Sequence, residues 1–145
     1  MAAKRTALAV WEHDLLHGRG TVKGTSGVLG EMAVSWSTRI ETPPGSTSPE
    51  ELLAAAHAAC YSMALSGGLA RMHKPPERLN VSATATFDKV GDSWKVTTME
   101  LSVVGKVPGL TAAEFDTAAK AAALGCPMSV ALKGNVAVSV DARLA

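Results

Sequence analysis

The sequence is short of most features that announce a partner or a compartment. Its charges nearly cancel, 14 Lys and Arg against 13 Asp and Glu for a formal net charge of +1, and no run of one sign stands out. That balance argues against nucleic acid or an anionic membrane as the main partner. Only two cysteines are present, Cys60 and Cys126, too few for the disulfide framework of a secreted domain. The four histidines, at 13, 17, 57 and 73, fall at no metal-site spacing with each other or with a cysteine. His13 and His17 run straight into Gly18 and Gly20, where no helix is credible, so no metal centre is expected. Long apolar runs are missing too. "TALAVW" after Lys4 and Arg5 is too short for a signal peptide and is followed by Glu12 and Asp14. Residues 52 to 65 are broken by His57 and Ser62 and are too short to span a bilayer. With no repeat or long linker, the 145 residues are expected to form one soluble cytoplasmic domain, 1–145, its thiols reduced at rest.

What is present is a clear succession of strand and helix patterns. Strands are predicted over 7 to 12, 20 to 24 and 32 to 40, the first two as a hairpin through Gly18 and Gly20, and "ETPPGSTS" at 41 to 48 is a loop of turn formers. "LNVSATATFDKV" alternates Leu79, Val81, Ala83, Ala85 and Phe87 against a polar face, as a half-buried antiparallel strand does. After the Gly91 turn the apolar phase of "WKVTTMELSVV" slips between Val96 and Met99, predicting a bulge near Thr97. Thr111 to Glu114 is a capping box opening a helix to Leu124, with Gly125 as its stop. A short helix from Pro127 to about Lys133 and a strand in "NVAVSVDARL" complete the order β-β-β-α-β-β-α-α-β, an α+β fold on an antiparallel-rich sheet.

The first long helix starts at "SPEE". Ser48, Pro49 and Glu51 form an N-terminal capping box, which occupies Glu51 and leaves Glu50 either solvated near the helix dipole or paired with something outside the helix. From Leu52 to Leu65 the helix is apolar on almost every side, which predicts cover all round and, for so small a chain, a homodimer supplying part of it. Gly67 and Gly68 loosen the helix and Pro75 and Pro76 end it.

The cysteines admit two readings: inert small core residues, or reactive thiols. Cys126 lies between Gly125 and Pro127, at the cap of a helix whose amides favour a thiolate. Cys60 is mid-helix among alanines, where burial raises a thiol pKa unless a cation stands close. Arg39, projecting from the third strand, is the candidate cation, and Glu50 the carboxylate that would fix it. His57, one turn before Cys60, is a rival as base or a hydrogen-bonded core residue; Arg19 in "HGRG" is a rival cation or a solvated turn arginine.

"SPEELLAAAHAACYSMAL" followed by "GCPMS", with "WEHDLLHGRGTV", "SGVLG" and "STRIE" ahead, closely resembles the OsmC branch of the OsmC/Ohr family of organic hydroperoxide reductases, over nearly the whole chain. The resemblance implies an OsmC-like fold with long central helices, an intertwined homodimer, and thiol peroxidase activity without metal, flavin or haem. It implies Cys60 as peroxidatic cysteine, Cys126 as its disulfide partner, Arg39 and Glu50 as the supporting pair, and an external dithiol or lipoyl-type reductant. His13 departs from the glycine that family members often carry after "WE". The competing reading from the residues is a dimeric module binding a small apolar ligand, with inert buried thiols.

Overall fold

The computed structural model describes residues 1–42 and 44–145; of the expected 41–48 loop, Pro43 lies outside the described residues. The chain divides into two compact units, Met1–Pro49 and Glu50–Ala145.

In the first unit, β1 (Ala7–Glu12), β2 (Arg19–Gly24) and β3 (Met32–Val34) form an antiparallel sheet in that order. The expected hairpin is there, with Trp11 opposite Gly20. A Cβ on Gly20 would stand 2.8 Å from the Trp11 ring, so only glycine lets the indole lie across the ladder. The third strand stops early. Residues 32 to 40 were expected to remain extended, but Ser37–Ile40 is a helical turn, α1. Two side chains cause the change: the Ser35 hydroxyl accepts from the Thr38 amide at 3.3 Å, and the Thr38 hydroxyl donates back to the Ser35 carbonyl at 2.7 Å. Such local bonds offer the backbone an alternative to the ladder. Arg39 therefore stands on α1 and not on a strand, 5.8 Å above the Trp36 ring.

In the second unit, α2 (Pro49–Arg71) is followed by β4 (Arg78–Val90), β5 (Ser93–Lys106), α3 (Ala112–Gly125), α4 (Pro127–Leu132) and β6 (Ala137–Leu144). β4 and β5 are antiparallel, and Thr97 is the extra residue, between Thr98 opposite Thr86 and Val96 opposite Phe87. β6 lies parallel to β5, with α3 and α4 as the connection between them. The Thr111–Glu114 capping box is formed on both sides, and α3 ends at Gly125 as expected, to within a residue. α2 runs straight through Gly67 and Gly68. It ends before the prolines, where His73 at φ 58° passes its amide to Ala70 and Lys74 passes its own to Leu69. That is a Schellman stop with histidine in glycine's usual place.

The core of this unit gathers Tyr61, Leu65 and Leu69 of α2, Leu101 and Val103 of β5, and Phe115 and Ala119 of α3. On α2 the buried positions 57, 61, 65 and 69 recur every fourth residue, one stripe of the helix. Off that stripe Cys60 and Ala64 still pack against the core, while Ala55, Ala56, Ala59 and Met63 are left exposed by the rest of Glu50–Ala145. By length and composition α2 is the one helix among the described residues that could cross a membrane. Its buried Glu50 and His57 and its core stripe are the features of an interior helix.

Candidate active site

Within Glu50–Ala145 the fold brings the two cysteines together. Cys60 comes from the middle of α2, half-buried against the core, and Cys126, fully buried, caps α4. Both are thiols. The turn between α3 and α4 forms as "LGCPMS" dictates: α3 ends at Gly125, Cys126 is extended at φ −66° and ψ 123°, and Pro127 takes the first helical position, where its missing amide costs nothing.

The electrostatics of the pair are asymmetric. Burial pushes the Cys60 thiol pKa up; the Met128 amide counters it, while hydrogen bonding to Cys126 and that sulfur's charge push it further up. Cys126 is lowered instead. Burial opposes ionisation there too, but the Ser129 amide, the Cys60 side chain, the Met128 amide and the Ser129 hydroxyl outweigh it. The Cys126 sulfur makes no cap hydrogen bond of full geometry, so the amides act on it as aligned dipoles. Within this unit Cys126 is therefore the more readily ionised of the two thiols, and no cation is among the groups that set the Cys60 pKa.

The remaining candidates separate clearly. Glu50, 7% exposed in the first turn of α2, is not the solvated carboxylate that its helix-end position allowed. Burial of a carboxylate demands donors or a cation around it. Arg39 belongs to the other unit, on α1. Arg19 is an exposed arginine 3.9 Å from Glu12, its neighbour across the β1–β2 ladder. His57 is a hydrogen-bonded core residue: fully buried, its pKa lowered by burial, with Nε2 2.8 Å from the Ser129 hydroxyl. Ser129 escaped the sequence reading, since a serine in the first turn of a short helix carries no distinct signal of a partner 72 residues away.

Between α2 and α3 lies a cleft of about 540 Å³ lined by Met63, Ala64, Gly67, Arg71, Gly125 and Pro127 among others; it reaches the two chain neighbours of Cys126, but neither cysteine lines it. Its walls are mostly methyl and methylene groups with one guanidinium. Among the described residues no cluster of three His, Cys, Asp or Glu could hold a metal ion.

Comparison with known proteins decides what this arrangement belongs to. The sequence profile of the family described as OsmC-like protein matches residues 42–141, a span that holds both cysteines. The chain belongs to the OsmC family. It is 39% identical over 143 residues to Peroxiredoxin OsmC of Escherichia coli, covering 99% of each chain. It is 30% identical over 113 residues to the organic hydroperoxide resistance protein OhrA of Bacillus subtilis, covering 77% of each. The α+β fold of this OsmC-family chain matches the crystal structure of an organic hydroperoxide resistance protein OsmC from Legionella pneumophila with a TM-score of 0.73. That match covers 98% of this chain and 99% of the other at 23% identity.

Proposed function

We propose that this chain is a two-cysteine thiol peroxidase that reduces organic hydroperoxides to alcohols in defence against oxidative stress. The observation that carries the reading is the meeting of the Cys60 and Cys126 thiols at the N-terminus of α4, in a chain 39% identical to Peroxiredoxin OsmC. In the proposed cycle the Cys60 thiolate attacks the distal peroxide oxygen and the O–O bond breaks. The alkoxide takes a proton and leaves as alcohol, and Cys60 becomes a sulfenic acid. The Cys126 thiolate then attacks the Cys60 sulfur, the S–O bond breaks, and the departing hydroxide is protonated to water. An external dithiol, of lipoyl type, reduces the disulfide by exchange, and no bound cofactor takes part.

The asymmetry of the pair sets what the supporting residues must do. Cys60 needs a positive charge before it can react as a thiolate, and Arg39 is proposed to supply it and to stabilise charge on the peroxide oxygens, with Glu50 fixing the guanidinium. The apolar cleft between α2 and α3, which reaches Gly125 and Pro127 on either side of Cys126, is proposed to receive the alkyl or aryl tail, which would favour organic peroxides over hydrogen peroxide. A homodimer is part of the proposal. Ala55, Ala56, Ala59 and Met63 of α2 are left exposed by the rest of Glu50–Ala145, and Leu8, Val10 and Trp11 of β1 are 50%, 63% and 42% exposed. A cytoplasmic location fits thiols kept reduced at rest.

The deciding test is a thiol count after stoichiometric cumene hydroperoxide. Both thiols are expected to disappear with one intramolecular disulfide per chain; Cys60→Ser should abolish turnover, and Cys126→Ser should stop at a sulfenic acid. Unchanged thiols would leave the cleft as a ligand-binding site and the cysteines as filler. Arg39→Ala should shift Cys60 alkylation to higher pH, and an unaltered profile would remove Arg39 from the site.

A further inference from the structure

Ser129, whose hydroxyl is among the groups that lower the Cys126 pKa, is itself held from behind. His57 Nε2 lies 2.8 Å from Ser129 Oγ; His57 is fully buried and Ser129 is 8% exposed. The ring's other nitrogen, Nδ1, is buried with no partner among the described residues. One of the two nitrogens of the neutral ring carries the proton. Placing it on Nδ1 would orphan a buried N–H, whereas placing it on Nε2 leaves only a bare lone pair at Nδ1 and makes Nε2 a donor to Ser129. The hydrogen bonding thus assigns the Nε2–H tautomer. Ser129 Oγ then accepts from His57, and its single proton is available to another acceptor. Ser129 is the third residue of α4, one turn from the Cys126 cap, and its side chain is among the hydrogen-bonding groups that act on the Cys126 sulfur.

We propose that His57 is a positioning residue for Cys126: its Nε2–H fixes the Ser129 oxygen so that the Ser129 hydroxyl proton is aimed at the Cys126 sulfur and holds it as a thiolate. The surroundings leave few competitors. From α2 the titratable groups acting around this sulfur are Cys60, Tyr61 and, through Ser129, His57. Tyr61 gives its O–H to the Ala119 carbonyl at 3.0 Å, and its pKa, pushed up to about 12 by burial and by the Cys126 and Asp116 charges, keeps it neutral. β5 and α3 present Leu101, Val103, Ala119 and Ala123 to the same core. The relay deepens the peroxidase reading, on which it rests only for the use made of the thiolate, namely attack on oxidised Cys60.

The test needs no peroxide, so it fails or succeeds separately from that reading. In full-length Cys60→Ser protein, the Cys126 pKa is read from ultraviolet thiolate absorbance against pH. Ser129→Ala and His57→Phe should each raise it by about one unit, which is about tenfold less thiolate at neutral pH. The double variant should be no worse than the more severe single one, because both break one chain of bonds. His57→Gln, whose side-chain amide can place an N–H where Nε2 stands, should retain most of the parent value. Additive shifts, no shift in Ser129→Ala, or a His57→Gln as altered as His57→Phe would overturn the relay. Should His57→Phe fail to fold, nitrogen-15 shifts of His57 in the wild-type chain decide: a proton on Nε2 supports the relay, and one on Nδ1 ends it.

Discussion

The two units of this chain spend their apolar residues differently. Glu50–Ala145 seals a set of large side chains, Phe115, Leu65, Leu69 and Val103 having no exposed surface, although Met63, Trp94 and Leu124 stay open. In Met1–Pro49 the buried residues among those described are Thr38 and Ser48, both polar, while Leu8, Val10 and Trp11 stand open. Local hydrogen bonds do there what burial does in the other unit. Asp14 accepts from the Leu16 and His17 amides at 2.9 and 3.0 Å, and the Trp11 indole donates to the His13 carbonyl at 3.0 Å. The contrast teaches that apolar content is not the same as a core. One unit builds its own interior, and the other holds its shape by turn chemistry while presenting a face suited to a second surface.

That contrast can be broken at several points. The largest effect should come from Phe115→Ala, which empties the centre of the second unit and should cost about 3–5 kcal/mol in urea unfolding. Next is Gly105→Ala, whose new Cβ would collide with the Phe115 ring; a loss of about 1–3 kcal/mol is expected, and Phe115→Leu should relieve part of it. A smaller, pH-graded effect belongs to His57. Burial lowers its folded pKa below the ordinary 6.5, so as pH falls through that value the unfolded chain takes up a proton that the folded chain refuses. Stability should therefore fall between neutral and mildly acid pH, down to the folded pKa, and His57→Gln should lose that slope in unfolding curves taken across the range. Smallest is Val10→Ser on the open sheet, expected within about 0.5 kcal/mol at protein concentrations low enough for single chains. In the proposed dimer the same change should instead show as easier dissociation on dilution by light scattering.

Sequence legibility followed the range of the forces involved. The Thr111 capping box, the Thr97 bulge and the alternating face of β4 were readable because each is set by residues a few positions apart. The turn at Ser37–Ile40 was not, because the alternation through Met32, Val34 and Trp36 outweighed a Ser35–Thr38 bond that leaves no periodic mark. Nor did a histidine at the end of α2 announce a left-handed stop. At the site, both cysteines and the cap at Cys126 were legible. So were the directions of their shifts, Cys60 raised by burial and Cys126 lowered at its cap; the hydrogen bond between the two side chains, which joins residues 66 apart in sequence, was not. The burial of Glu50 was one of two outcomes its position left open, while the pairing of β6 with β5 had no signal beyond a strand pattern.

The parallel pairing of β6 with β5 bears on the order in which the site is assembled. α2 is local and can form early, carrying Cys60 with it, but Cys126 sits inside the connection that joins two parallel strands. Closing that connection has an entropic cost that is met before the pairing gives anything back. On that ordering Cys126 is expected to reach Cys60 as the β5–β6 pairing closes, and formation of the disulfide would then report completed folding. Refolding in the presence of mild oxidant should show the disulfide appearing with, and not ahead of, the native sheet.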